Sequence, residues 1–277
     1  MRYPGTAILS LLFCSLLAVR SEAAPAADLW SFWQLEPPSL SASTSKGPID
    51  HEPWQQLLNR HLKKTDDQIN RFDYQAFVAA DRAYLETYLT ALSSLDPRSY
   101  PIDERMAYWI NLYNALTVRV VLDNPDKDSI QRMGAGWFTF GPWDDELTII
   151  AGQPITLNDI EHRILRPIWQ DRRIHFAVNC ASLGCPNLSA QVFTASNLES
   201  MLSAAESAYL NHPRGVSFNA KDELVLSNIF KWYIADFAAD RTQLLKYLSL
   251  HNDTLKQKLI SYTGPIRYQY DWSLNRP

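Results

Sequence analysis

The sequence predicts an α+β fold, with a central buried helix and several further helices packed on a small, mostly antiparallel sheet. Three observations predict it. Residues 103–122 read as a helix that is apolar on almost every side. Two hairpin signals, at 147–155 and 216–227, mark short antiparallel strands. Helical segments fall between and after these strands without the regular alternation of a parallel α/β sheet. Aromatic residues make up 12% of the 277-residue chain, and such rings supply enough buried area for a core without disulfide staples.

Taken in order, the chain opens with Arg2 and an apolar run from Ala7 to Val19, about the length of a signal-peptide core and too short to span a bilayer. Small residues at Ser21, Ala23 and Ala24 place cleavage near Ala23, so residues 1–23 are expected to be a signal peptide containing Cys14. Phe13 is too bulky for a lipoprotein cleavage site. The mature chain is expected in the periplasm or secreted, with no integral membrane segment. Residues 24–47 are rich in Pro, Ser and Ala and read as a mobile arm. Trp30, Phe32 and Trp33 within it are expected to dock on the domain or contact a partner. Residues 48–277 are expected to form a single α+β domain.

Helices are expected at 51–64 and 73–95, the second ending before Pro97. In the helix at 103–122, Trp109, Tyr113, Leu116 and Val120 form an apolar stripe widened by Met106, Ile110, Thr117 and Val121. Its other face carries Asn111 and Asn114, whose buried amides need partners. Residues 133–146 mix glycines with Trp137, Phe138, Phe140 and Trp143, the composition of a loop beside a groove or of a flap over the core. The first hairpin turns at Ala151-Gly152-Gln153. Thr156 then caps a helix, with Asp159 three residues on as an imperfect capping box. Residues 173–179 read as a strand and 194–210 as a helix. Ser227 caps a helix through Phe237, two further helical segments reach Ser261, and 266–272 close the chain as a strand.

Reactive groups concentrate at 175–188, where His175, Cys180 and Cys185 fall within a few residues. Three readings of the cysteines are open. An exported chain favours a Cys180–Cys185 disulfide. A zinc site could use His175 and both cysteines, although the spacing matches no common structural zinc pattern. In the third reading a cysteine is a nucleophile served by an imidazole and a carboxylate. An extended strand would put about 15 Å between His175 and Cys180, so Cys185 could lie closer to the ring. Glu161 falls inside the apolar stripe of its helix, where a carboxylate needs a partner. His175 is one candidate partner, and Arg163, Arg166 or Arg173 are the salt-bridge alternatives. Lys231 and Asp236 read as a solvated helix face.

The net charge of −4 and the lack of a basic run argue against a nucleic-acid partner. No phosphate-binding glycine loop and no paired carboxylates at glycosidase spacing occur, so no cofactor and no metal are expected.

The segment His175-Phe-Ala-Val-Asn179-Cys180-Ala-Ser182-Leu-Gly-Cys185-Pro186-Asn-Leu188 resembles the H-F-A-x-N-C-A-S-x-x-C-P-x-L signature of the domain of unknown function family 547, found in bacteria and plants. Trp109-Ile-Asn111-Leu-Tyr113-Asn114-Ala-Leu116 is similar to that family's central helix motif, and Glu161-His162-Arg-Ile-Leu165-Arg166 to its E-H-x-I-L-R motif. Phe230-Lys231-Trp232-Tyr233 also fits, and the resemblance spans about 101–237. Plant members look intracellular yet keep both cysteines, which the resemblance turns against a disulfide. It also suggests an analogy to papain- and transglutaminase-like thiol enzymes. Gly184 stands where the signature leads one to expect Ser, a change expected to loosen the turn.

These readings converge on a thiol-dependent hydrolase or acyl transferase acting on an amide or thioester of a small molecule or peptide. Cys180 is the expected nucleophile, Cys185 its rival, His175 the base and Glu161 its orienting acid, with Asn179 or Asn111 donating to an oxyanion. The alternative is a non-catalytic exported binding domain with a Cys180–Cys185 disulfide.

Overall fold

The computed structural model describes residues 25–34, 47–135 and 140–277. The signal-peptide segment, most of the arm, and Trp137 and Phe138 of the glycine-aromatic loop lie outside the described residues.

Residues 25–34 end in one helical turn, α1 (Ser31–Gln34), docked on the body. Trp33 is buried, packs edge-on to Trp109 with centroids 5.0 Å apart, and its carbonyl accepts from Arg105. This stretch of the expected mobile arm is therefore held in place, because its rings are worth more buried than solvated.

Helix α2 (Glu52–His61) is shorter than expected, because the chain after His61 turns into β1 (Leu62–Lys63), which pairs with β2 (Arg71–Phe72). Helix α3 (Ala79–Ser93) begins six residues later than expected. Asp73 spends its carboxylate on the Ala76 amide in a turn rather than on a helix start. Helix α4 (Ile102–Asp123) is the buried centre, with 17 of its 22 residues inaccessible. Asn111 and Asn114 gain the partners their burial demands. The Asn111 amide exchanges two bonds with the Phe193 backbone, and Asn114 bonds the Ala177 carbonyl and the Asn179 amide.

Strands β3 (Thr148–Ile150) and β4 (Gln153–Ile155) form the first hairpin, turning through Ala151 and Gly152, both at positive φ. The capping box closes: Thr156 donates to Asp159 Oδ2 through N and Oγ1, and its hydroxyl accepts from the Asp159 amide. The helix it starts is π-wound over Asp159–Leu165 and continues as α5 (Arg166–Trp169).

The strand expected at 173–179 is instead a helical turn, α6 (Ile174–Ala177). Asp171 accepts the Arg173 amide through Oδ1 and the Ile174 amide through its carbonyl, which starts the turn. A short apolar run reads the same in either conformation when it is buried on all sides. Helix α7 (Leu198–Leu210) follows, starting four residues late because Asn197 accepts the Thr194 amide just before it.

Strands β5 (Val216–Phe218) and β6 (Leu224–Ser227) make the second hairpin. The helix expected after Ser227 breaks at Tyr233 into α8 (Ile229–Trp232) and α9 (Ile234–Phe237). Helices α10 (Arg241–His251) and α11 (Lys256–Ile260) lead to β7 (Ile266–Gln269), which runs parallel to β6. The architecture is α+β, and among the described residues the strands form three small sheets with one parallel pairing.

Three apolar clusters fill the interior. The largest surrounds α4 and takes Ile174, Ala177 and Val178; the second lies under β5–β6 and takes Phe176; the third takes Ala181 with Val120, Val121 and Leu274. Residues 174–181 thus sit where the three clusters meet, which anchors that loop from every side. Among the described residues no helix is long and apolar enough to cross a membrane.

Candidate functional site

The π-wound helix supplies the first group. Its winding brings Glu161 and His162, neighbours in sequence, to one cleft. Such π segments often occur at functional sites. Glu161 Oε1 lies 3.4 Å from His175 Nδ1 and 4.0 Å from His162 Nδ1, and Tyr113 donates to its Oε2 at 3.4 Å. Burial favours the neutral acid, but His162, His175 and Arg166 outweigh it and hold the carboxyl down at about 2. Glu161 is therefore a buried anion.

Arg166 takes both oxygens of Asp236, at 2.7 and 3.1 Å, and donates to the Pro25 carbonyl at 2.8 Å. Its Nη1 also donates to His162 Nδ1 at 3.1 Å, so that nitrogen carries a lone pair. Burial pushes the His162 pKa down, which keeps the ring neutral with its proton on Nε2.

His175 lies between two carboxylates. Its Nε2 donates to Asp236 Oδ2 at 2.7 Å, while Nδ1 faces Glu161 without hydrogen-bond alignment. Tyr233 stacks on the ring at 4.1 Å. No contact links either ring nitrogen to Cys180.

The cysteine loop supplies the second group. Asn179 fixes it, accepting the Ala181 amide at 2.9 Å and donating to the Pro186 carbonyl at 2.7 Å. Ala181 is buried in the left-handed region at φ 58°, a conformation that costs a residue with a Cβ about 1–2 kcal/mol. Such strain next to a reactive side chain is a recurrent mark of functional turns. Cys180 and Cys185 are free thiols, and the Cys180 amide donates to Cys185 Sγ at 3.0 Å. Cys180 Sγ lies 3.2 Å from Ser182 Oγ and 3.1 Å from the Tyr270 hydroxyl.

The hydrogen bond from Cys185, with those from Ser182 and Tyr270, outweighs burial and lowers the Cys180 pKa to about 7. Burial pushes the Cys185 thiol well up, and its bond to Cys180 raises it further. One sulfur is thus poised to ionise and the other to keep its proton. This difference separates the two candidate nucleophiles.

Both groups open into one cleft of about 530 Å³, whose lining also includes Trp143, Asn228, Trp232 and Trp272. The structure brings Glu161 to His175 and sets Cys180 and Cys185 in the same cleft. It gives the amides of Asn111 and Asn179 backbone partners instead. Among the described residues no group of three His, Cys, Asp or Glu side chains is arranged to hold a metal ion.

Residues 97–210 match the family described as "Protein of unknown function, DUF547". Over this stretch, less than half of the chain, the sequence is similar to that family. No curated protein and no solved structure matches the chain.

The DUF547 stretch contains Glu161, His162, Arg166, His175, Cys180 and Cys185, but it does not contain every residue that lines the cleft or supports it. Asn228, Trp232, Tyr233, Asp236, Tyr270 and Trp272 lie beyond it in sequence. The sequence reads Asp236 as a solvated residue and offers Arg166 only as one of three salt-bridge alternatives for Glu161, whereas it bonds Asp236; nothing in the sequence singles out Asn228 or Tyr270. For Asp236 a signal existed: it follows Tyr233 by three residues, so a helical turn puts both near one face. The Gly184 expectation is corrected. A Cβ there would come within 2.7 Å of the Asp271 amide nitrogen and 2.9 Å of its carbonyl oxygen, so this glycine tightens the loop against the segment that follows β7 instead of loosening it.

Proposed function

We propose that the protein is an exported thiol-dependent enzyme, a hydrolase or acyl transferase that opens an amide or thioester through Cys180. The observation that carries this reading is a half-buried thiol with its pKa near neutrality, set at a strained turn in a cleft large enough for a substrate.

In this reading the thiolate needs no imidazole to form it, because three donors already favour the anion. Cys180 Sγ adds to the carbonyl carbon, and the C=O π electrons move to oxygen. Asn228, whose side-chain amide has no protein partner among the described residues, is the proposed donor to that oxyanion, together with His162 Nε2–H. Collapse breaks the bond to the leaving nitrogen or sulfur, which takes a proton from solvent. Water or a second nucleophile then cleaves the thioester and returns the thiolate. His175, held by Asp236 and Glu161, is a positioning residue that stacks Tyr233 into the cleft wall.

The test begins with iodoacetamide at neutral pH without reductant. One rapid adduct on Cys180, then turnover of an amide or thioester panel that Cys180→Ala abolishes with an unchanged melting curve, is expected. No adduct and a mass two hydrogens light would move the assignment to a disulfide-closed binding domain. That outcome has a structural basis in the closeness of the two cysteines.

A further inference from the structure

The cleft around Cys180 is chemically one-sided. Glu161 and Asp144 line it, and no Lys or Arg does among the described residues. Arg166, at the start of α5, is consumed by Asp236 and the Pro25 carbonyl. Glu161 stays ionised down to about pH 2.

The same cleft is lined by a continuous run of aromatic rings. Trp232 and Tyr270 have centroids 4.9 Å apart, Tyr270 and Trp272 4.5 Å, and Trp143 and Trp272 5.9 Å. All four rings are only partly covered. Gly141, at φ 85°, fixes one end, since a Cβ there would fall inside the Trp143 ring. Aromatic faces carry negative quadrupole potential and attract organic cations, most strongly where tryptophans and a carboxylate cooperate.

We infer that the group this cleft recognises in its substrate is an organic cation, of the primary or quaternary ammonium class, and that anionic substrates are excluded. The inference rests on the reading of this cleft as the substrate site and deepens it. A carboxylate or phosphate would meet Glu161 and Asp144 with no lysine or arginine in the lining to receive it, Arg166 being bonded to Asp236, whereas an ammonium group would find both an aromatic face and a counter-charge.

The test uses benzyltrimethylammonium and phenylmethanesulfonate, matched in ring and opposite in charge, with binding to the full chain followed by tryptophan fluorescence. The cation is expected to bind about tenfold tighter or more. Trp232→Leu and, separately, Glu161→Gln should each erase most of that preference. Trp143→Leu is the second aromatic variant should Trp232→Leu fold poorly. Equal affinities, or tighter binding of the sulfonate, would overturn the inference. The same titration on Cys180→Ala separates it from the catalytic proposal. Cation binding retained there, with Cys180 inert to every acyl substrate, keeps the recognition and removes the acyl transfer. Turnover of acyl substrates with no cation preference keeps the acyl transfer and removes the recognition.

Discussion

The Tyr270 hydroxyl stands 3.1 Å from Cys180 Sγ although 90 residues separate them. Ser182 Oγ completes the triangle at 3.0 Å from the same hydroxyl. Burial pushes the Tyr270 pKa well up, so this group keeps its proton and serves as a donor. Ionisation of Cys180, favoured first by Cys185 and then by Ser182, is thus also tuned by a residue 90 positions away.

The rate of Cys180 alkylation should rise with pH around a midpoint near 7, since the lowered pKa lets the thiolate form there. Tyr270→Phe removes one donor and should move that midpoint up by about one pH unit. Stopped-flow labelling across pH 5–10 checks both. An unchanged midpoint in the variant would show that the tyrosine does not set the ionisation.

Gly184→Ala should act at a distance on the same sulfur. The added methyl meets the Asp271 backbone, and the segment after β7 that bears Tyr270 must shift to admit it. A loss of about 1–3 kcal/mol in chemical denaturation is expected, together with an upward drift of the alkylation midpoint. A destabilised variant that keeps the wild-type midpoint would separate the packing effect from the thiol.

Asp236→Asn leaves Arg166 and His175 without the carboxylate that both use. Breaking one partner out of a largely buried pair costs about 3–5 kcal/mol, so the urea midpoint should fall accordingly. Restoring part of the loss with Asp236→Glu would show that charge, more than shape, holds the cluster.

Acid should loosen the site in a defined window. Glu161 has its folded-state pKa lowered to about 2 from an ordinary 4.5. Its stabilising contribution is thus full above about pH 4.5 and is lost as pH falls towards 2. Glu161→Gln should flatten the pH dependence of stability in that window while lowering stability at neutral pH. Denaturation curves at pH 2.5, 4 and 7 make the comparison.

Ala181→Gly should stabilise the protein by up to about 1 kcal/mol. The left-handed φ of 58° costs alanine about 1–2 kcal/mol, and the extra backbone freedom of glycine in the unfolded chain returns about half of that. A raised melting temperature is the readout.

Much of the fold was legible because burial leaves a periodic trace. The stripe through Trp109, Tyr113 and Leu116 announced α4, and Ala151-Gly152 announced a turn that needs positive φ. The Thr156–Asp159 box was legible in the same way. At Ile174–Ala177 the trace failed. Four buried residues carry no period, and only Asp171, whose capping role was overlooked, marked the helical turn. The chemistry divides along the same line. His175, Cys180 and Glu161 stood out because reactive groups in apolar runs are conspicuous. Asp236 and Tyr270 did not, because an acid or a phenol gains its meaning only from a partner 61 or 90 residues away. The arm's attachment was hidden for a similar reason. Pro167 has no N–H to offer the His162 and Arg163 carbonyls, and the amides of Asp28 and Trp30 take them instead, at 3.0 and 2.9 Å.

The tail that delivers Tyr270 also bonds the loop directly, Leu183 to Ser273, Gly184 to Asp271 and Asn275 to Ala181. Synthesis gives this arrangement an order in time. The family segment, with its cysteines, leaves the ribosome first and can begin to fold there. Until residues 270–275 follow, the left-handed turn lacks its backing and Cys180 lacks one of its three donors. Before then the Cys180 sulfur is the weaker acid, and it gains its full reactivity only once that tail has folded back on the loop.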